Sequence, residues 1–217
     1  MYVYLDQEYF DDEKPELDEY LEHYGVIGMK WGVRRAKKQA NRAYKVAAKA
    51  RANKLKPDPS LDREAQKRLV YIDAANAANV YSAASKRLSE KYSEKASKAR
   101  SKGNTAKQKK YESKSRAQEM NSWAGSDASD YWANMANESV KKLQSTTNAK
   151  GMKVSLIGEK YARDVVVKGT FGKTKFKNLE VENYYTYYYS KDKDIKNLQK
   201  SESKRLRKPI TVTRYTK

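Results

Sequence analysis

Few side chains in this 217-residue sequence have the chemistry to catalyse a reaction. There is one histidine, His23, and no cysteine, so neither a Cys/His metal set nor a disulfide framework can be assembled. His23 has no serine or cysteine nucleophile in view, and a lone imidazole is more often structural than catalytic. Gly172-Lys173-Thr174 resembles the end of a phosphate-binding loop, but that loop needs a glycine five positions before Gly172, where Val167 stands. Gly169-Thr170-Phe171 fits a hairpin turn instead. Carboxylates crowd residues 1–24, where nine acids meet only Lys14. So many adjacent acids in one polar segment lack the differing environments that would separate their pKa values. The sequence predicts no enzyme, no cofactor and no metal site.

The chemistry this composition does suit is polyanion binding. Lys and Arg number 47 against 27 Asp and Glu, a formal charge of +20, with a pI of about 9.8. Beyond residue 24 the imbalance is 46 bases to 18 acids. From Val33 to Lys56 ten bases meet no acid at all. An ordinary solvated helix mixes signs to gain i,i+4 pairs, whereas an all-positive one repels itself unless an anion is near. Arg34, Arg35, Lys37, Lys38, Arg42, Lys45, Lys49 and Arg51 are therefore candidate nucleic-acid contacts, with a merely soluble face as the alternative. Eighteen of the 24 aromatics are tyrosine, and Tyr184, Tyr185, Tyr187, Tyr188 and Tyr189 crowd one strand-like run. Such rings can stack on unpaired bases or meet another protein. The protein interface is the preferred reading, because no RNA-binding or helix-turn-helix signature accompanies them.

These residues need elements to hold them. A mean hydropathy of −1.05 and 38% hydrophobic residues argue against one large core. Ala36, Ala40, Ala43, Tyr44, Ala47 and Ala50 recur at helical spacing and predict a helix over 33–56 with a thin apolar stripe. Pro57 and Pro59 end it, and Asp58 or Ser60 can cap the next. Leu61 to about Lys102 reads as a long second helix. Gly103-Asn104 breaks the pattern, and Thr105 with Gln108 resembles a capping box for a third helix, with a kink near Gly125. After Gly151 the pattern alternates, predicting strands at 153–157, 164–171 and 175–189, with Gly158, Gly169 and Gly172 at or near turns. Along the last strand Leu179, Val181, Tyr185, Tyr187 and Tyr189 fall on one face and Glu180, Glu182, Tyr184 and Tyr188 on the other, which predicts a sheet with one packed face. A short basic helix over 191–207 and an edge strand over 209–215 complete the chain. The fold class predicted is α+β: an extended basic helical hairpin or coiled coil, then a small antiparallel sheet. Four regions follow: an acidic leader (1–22), a glycine-rich docking peptide (23–35), a basic helical region (36–150) and a Tyr-rich β domain (151–217).

The leader reads either as a solvated tail or as a head that folds back on the basic body until a polyanion displaces it. No run approaches the ~18 apolar residues of a membrane span, and an acidic beginning is unlike a Sec leader, so neither a membrane nor Sec export is expected.

Residues 23–35 read His23-Tyr24-Gly25-Val26-Ile27-Gly28-Met29-Lys30-Trp31-Gly32-Val33-Arg34-Arg35. Glycines between Met and Trp anchors allow close backbone approach around a large apolar contact. This stretch resembles the signature His-x-Gly-x-x-Gly-Met-Lys-Trp-Gly-x-Arg-Arg, which occurs near the ends of many bacteriophage and prophage structural-module proteins, mainly of Gram-positive bacteria. Every fixed position is matched, over 13 of the 217 residues. The resemblance implies a phage virion or head-assembly setting, with His23, Gly25, Gly28, Met29, Lys30, Trp31, Gly32, Arg34 and Arg35 as a docking or packaging tag. The expectation is a virion structural or head-associated protein, in host cytoplasm during assembly, partnered by phage structural proteins within an oligomer or larger assembly, its basic helices facing packaged DNA or acidic protein surfaces. The alternative is a soluble nucleic-acid-binding protein of phage or mobile-element origin that acts in the host cell.

Overall fold

The computed structural model describes residues 30–54, 63–148, 150–169 and 172–215. Four helices and three strands follow in the order α1 (Lys30–Lys54), α2 (Arg63–Ser101), α3 (Thr105–Asn148), β1 (Lys153–Gly169), β2 (Gly172–Tyr189), α4 (Lys193–Leu206) and β3 (Thr211–Arg214). The architecture is α+β, a long helical hairpin followed by a small antiparallel sheet of order β2-β1-β3.

The hairpin is built on small residues at heptad spacing. Ala75, Ala78, Ser82, Ser85, Ser89, Tyr92, Ala96 and Ala99 of α2 face Tyr111, Ser115, Gln118, Ser122, Gly125, Ser129, Trp132 and Ala136 of α3, each series alternating steps of three and four. Serines tie the seam: Ser129 Oγ donates to the Ala75 carbonyl at 3.0 Å, Ser82 Oγ to the Ser122 carbonyl at 2.7 Å, and Ser89 and Ser115 each donate to the other's carbonyl at 3.0 and 2.9 Å. Such short side chains let the two backbones approach closely. A Cβ built on Gly125 would lie 2.9 Å from the Ser82 amide nitrogen and 3.0 Å from its Cα. The glycine therefore marks a close approach, where the sequence suggested a kink. Gly125→Ala is expected to destabilise the fold even though alanine gains about 1 kcal/mol of helix propensity over glycine. Gly125→Leu should cost at least 2–3 kcal/mol by prising the helices apart. Thermal unfolding followed by circular dichroism checks both, and a Gly125→Ala protein that melts higher than the parent would contradict the close packing.

The hairpin turn also differs in detail from expectation. Gly103 has φ +65°, its N–H donates to the Arg100 carbonyl at 2.9 Å, and the Asn104 N–H donates to the Ala99 carbonyl at 3.0 Å. Asn104 rather than Thr105 caps α3, its Oδ1 accepting the Lys107 N–H at 3.0 Å, while the Gln108 amide donates to Glu112 instead of reaching back.

The strands run further than the alternation suggested. β1 is continuous through Gly158, which pairs with Tyr184 inside the ladder, and the reversal comes at Gly169/Gly172. One irregularity falls between Arg163 and Val165, where Asn178 (φ +49°) donates its N–H to Asp164 Oδ1 at 3.0 Å. β3 pairs with β1 from Ile157 to Lys160 and forms the far edge.

Two buried clusters each join helix and strand residues, so core packing crosses the division at 150/151. Val154, Leu156 and Tyr184 pack with the alanines of α1, α2 and α3 and with Trp132, while Phe176, Leu179 and Val181 pack on Ala84 of α2. By strand alternation Tyr184 lies on the opposite face of β2 from Leu179 and Val181. Both sets reach α2 because α2 runs along the open edge of β2. Asn76 there acts like a neighbouring strand, its Nδ2 donating to the Tyr184 carbonyl at 3.0 Å and its Oδ1 accepting the Tyr184 N–H at 2.6 Å. Asn79 Nδ2 donates to the Glu182 carbonyl at 3.0 Å. Edge groups that would template another chain are thus satisfied internally.

Candidate nucleic-acid interface

α1 has the residues for a two-sided helix. Ala36, Ala40, Ala43 and Ala47 are all buried, at 0–7% exposure, against the base of the hairpin. Without side chains beyond Cβ, that stripe brings the α1 backbone close to its neighbours. The anchor is Trp132 of α3. Its ring stacks on Tyr44 of α1 (centroids 4.9 Å) and on Tyr71 of α2 (5.5 Å), and Tyr131 meets it edge-on (4.7 Å). Its Nε1 donates to the Ala40 carbonyl at 2.9 Å. One indole therefore clamps all three helices.

Burial of the stripe decides what the opposite face displays. At 3.6 residues per turn, positions 34, 38, 42 and 45 fall within about 50° of the line opposite the alanines. Arg34, Lys38, Arg42 and Lys45 are all exposed. Arg35 and Lys37 are half-buried on the flanks. The side chains of Lys49 and Arg51 lie outside the described residues, although both positions belong to α1. Of the predicted nucleic-acid contacts, then, four are brought to one outward face and two to its margins. Such a face carries positive charge with no carboxylate of its own helix to offset it, which suits phosphates and gives no base-specific readout.

Of the predicted docking peptide, His23, Gly25, Gly28 and Met29 lie outside the described residues. Lys30, Trp31, Gly32, Arg34 and Arg35 belong to α1, so the second half of the signature is helical and continuous with the basic helix.

The tyrosine run is largely used internally. Tyr184, which shares its face of the strand with Glu180, Glu182 and Tyr188, is 6% exposed; its ring packs edge-on to Tyr215 (5.5 Å) and its hydroxyl donates to Glu182 at 3.1 Å. Gly158 opposite provides the room, since a Cβ there would meet Glu182 and the Tyr184 ring. Burial and the neighbouring Glu182 raise the Tyr184 hydroxyl pKa, so it stays protonated. Tyr189 is also 6% exposed, its hydroxyl bonded to Ser155 and to Arg214, which in turn reaches Asp192 at 2.7 Å. Arg214 and Lys153 hold the Asp192 carboxyl below its usual range. Tyr187 stacks on Tyr189 (5.9 Å), and Tyr185 is half-buried, its pKa pushed up to about 12 by burial and by Glu159 and Glu202. Tyr188, at 44% exposure, is the exposed member of the run. With Tyr184 and Tyr189 buried and Tyr185 and Tyr187 half-buried, the run offers no continuous aromatic platform.

Sequence reading assigned no contacts to the far half of the hairpin. The signal was present: Ser89 to Gln118 holds ten Lys or Arg against Glu90, Glu94 and Glu112. A half-buried acid lies elsewhere, where partial burial and Asp130 raise the Asp127 pKa to about 6. Among the described residues no group of His, Cys, Asp and Glu is placed to hold a metal ion, and no helix is long and apolar enough to cross a membrane.

No curated protein and no solved structure matches the chain. Residues 14–38 match the model of a family of unknown function (DUF7211), a stretch that contains the glycine-rich signature and the first turns of α1.

Proposed function

We propose that this chain is a non-enzymatic bacteriophage or prophage structural protein that docks through residues 23–35 and lays the outer face of α1 on nucleic acid. The observation that carries the second half of this reading is the division of α1. Its alanine stripe is buried against the hairpin while Arg34, Lys38, Arg42 and Lys45 face outward. The first half rests on the signature itself, whose residues from Lys30 to Arg35 form the first turns of that helix. The second half of the tag and the basic face thus share one helix, and a partner that holds that half also orients the cations. The tyrosines contribute packing, with Tyr188 as the contact left to a neighbour.

Mass spectrometry of particles purified from the source culture after prophage induction tests the setting. The expected result is stoichiometric presence of the chain in particles, and a new N-terminus near residue 23 would add maturation of the acidic leader. Recovery from the lysate alone, with none in particles, would overturn the virion role and leave a nucleic-acid-binding protein of the host cell.

A further inference from the structure

We infer that the free end of the α2–α3 hairpin is a second phosphate-binding surface, so that one chain bridges two nucleic-acid duplexes. This rests on the reading of α1 as a duplex-binding face and extends it.

The hairpin end is set apart structurally. The contacts that tie α2 and α3 to α1 and the sheet involve residues up to Leu88 on α2 and from Trp123 onward on α3, together with a groove wall at Ser89, Glu90, Glu119 and Ser122. Beyond these, the two helices pack on each other through Tyr92, Ala96, Ala99 and Tyr111. From Trp132, where α1 is clamped, α3 runs 16 residues, or roughly 24 Å, to Arg116 at the near edge of the basic stretch, and 27 residues, or roughly 40 Å, to Thr105 at the turn. Even the shorter of these exceeds twice the ~10 Å Debye length at 0.1 M salt. The two basic surfaces therefore act as independent sites.

The chemistry of this end points to phosphate. Lys98, Arg100, Lys102, Lys107, Lys109 and Lys110 surround the turn, and all six are exposed. No large exposed apolar side chain lies between Ser89 and Gln118 among the described residues, so the anchor that a protein partner would grip is missing. The two local aromatic rings are not open for base stacking either. Tyr92 and Tyr111 stack on each other at 6.4 Å, with Lys95 and Lys114 over their faces at 5.6–5.9 Å. What remains is a rigid cationic rod of ten bases, about 20 Å long from Ser89 to the turn, against a duplex carrying a charge every ~1.7 Å. The recognition is of duplex backbone, without sequence preference.

The test uses the full chain and two six-base-pair stem-loop duplexes, each about 20 Å long and so shorter than the helix between Trp132 and Arg116. One is immobilised on beads and the other is fluorescent and free. The parent protein is expected to capture the free duplex on the beads at low salt and to release it as salt rises. A variant with Lys98, Arg100, Lys102, Lys107, Lys109 and Lys110 all changed to Gln should still bind the immobilised duplex through α1 but capture at least tenfold less of the second. Changing the five lysines to Arg should preserve capture, which separates charge from any effect on folding. Capture by the glutamine variant equal to the parent's overturns the proposal, as does a parent that binds one duplex and never a second. A parent that binds no duplex at all overturns the α1 reading as well. Preference of the hairpin end for polyglutamate over duplex would assign it to an acidic protein instead.

Discussion

Trp132→Ala is expected to lower stability by about 3–5 kcal/mol, the range for deleting a large buried aromatic. The substitution removes two stacked contacts and one edge contact, each worth about 0.5–1.5 kcal/mol beyond area burial. It also opens a cavity where three helices meet, and the neighbouring alanines of α1 cannot close it, since they have no side chain to move in. For a chain of this size the melting temperature should fall by roughly 6–20 °C. The loss should not be uniform. α1 is attached by an alanine stripe and by Tyr44, so it is the helix whose amides should lose most hydrogen-exchange protection, while the serine-tied hairpin keeps more of its own. Trp132→Phe retains the stack and loses the Nε1 donation to the Ala40 carbonyl at an expected cost of about 1 kcal/mol. An alanine variant that melts within 2 °C of the parent would mean that the indole does not hold α1.

The second large effect concerns binding rather than stability. Changing Lys38, Arg42 and Lys45 together to Gln should weaken duplex binding about tenfold or more at 0.1 M salt. It should also reduce the slope of log affinity against log salt by about 2 to 3, because three phosphate contacts are lost at about 0.9 each. All three side chains are exposed on the side of α1 away from the hairpin, so the melting temperature should hardly move. The measurement is a salt titration of parent and variant on one duplex. Equal slopes would remove α1 from the interface and leave the hairpin end as the main contact. The same titration on a chain lacking residues 1–22 tests the leader: tighter binding at low salt is expected if the nine acids compete with phosphate for the basic body, and unchanged affinity would sink that idea.

Much of the fold was legible in residue spacing. Alanines at steps of three and four placed α1, Gly103 and Asn104 placed the hairpin turn, and the change to alternation after Gly151 placed the ribbon. These signals are local: a periodic stripe needs only a partner surface, whichever it is, and a positive-φ glycine needs only its own backbone. Even there the small side chains were ambiguous. Ser82, Ser122 and Gly125 read as polar or flexible along one helix, and become a close-packed seam only when the two helices face each other.

The candidate site divides the same way. The run of uncompensated bases in α1 was plain in the sequence, because net charge along a helix does not depend on what the helix packs against. Which of those bases face outward followed once the alanine stripe was identified. The tyrosines behaved differently. Alternation correctly put Tyr184 and Tyr185 on opposite faces but could not say which face would be buried, since that depends on where the hairpin packs, with α2 lying along the edge of β2. Asn76 and Asn79, which hold that edge, sit among alanines in mid-helix and read there only as polar residues. By itself the sequence determined the element types, the basic helix and the absence of any Cys or multiple-His chemistry, all of which are set by composition and short-range periodicity. The tertiary structure decided that Tyr184 is interior, that Trp132 joins three helices and that the basic surfaces stand at opposite ends of the hairpin. Those depend on contacts between residues some 50 to 110 positions apart, which no local pattern encodes.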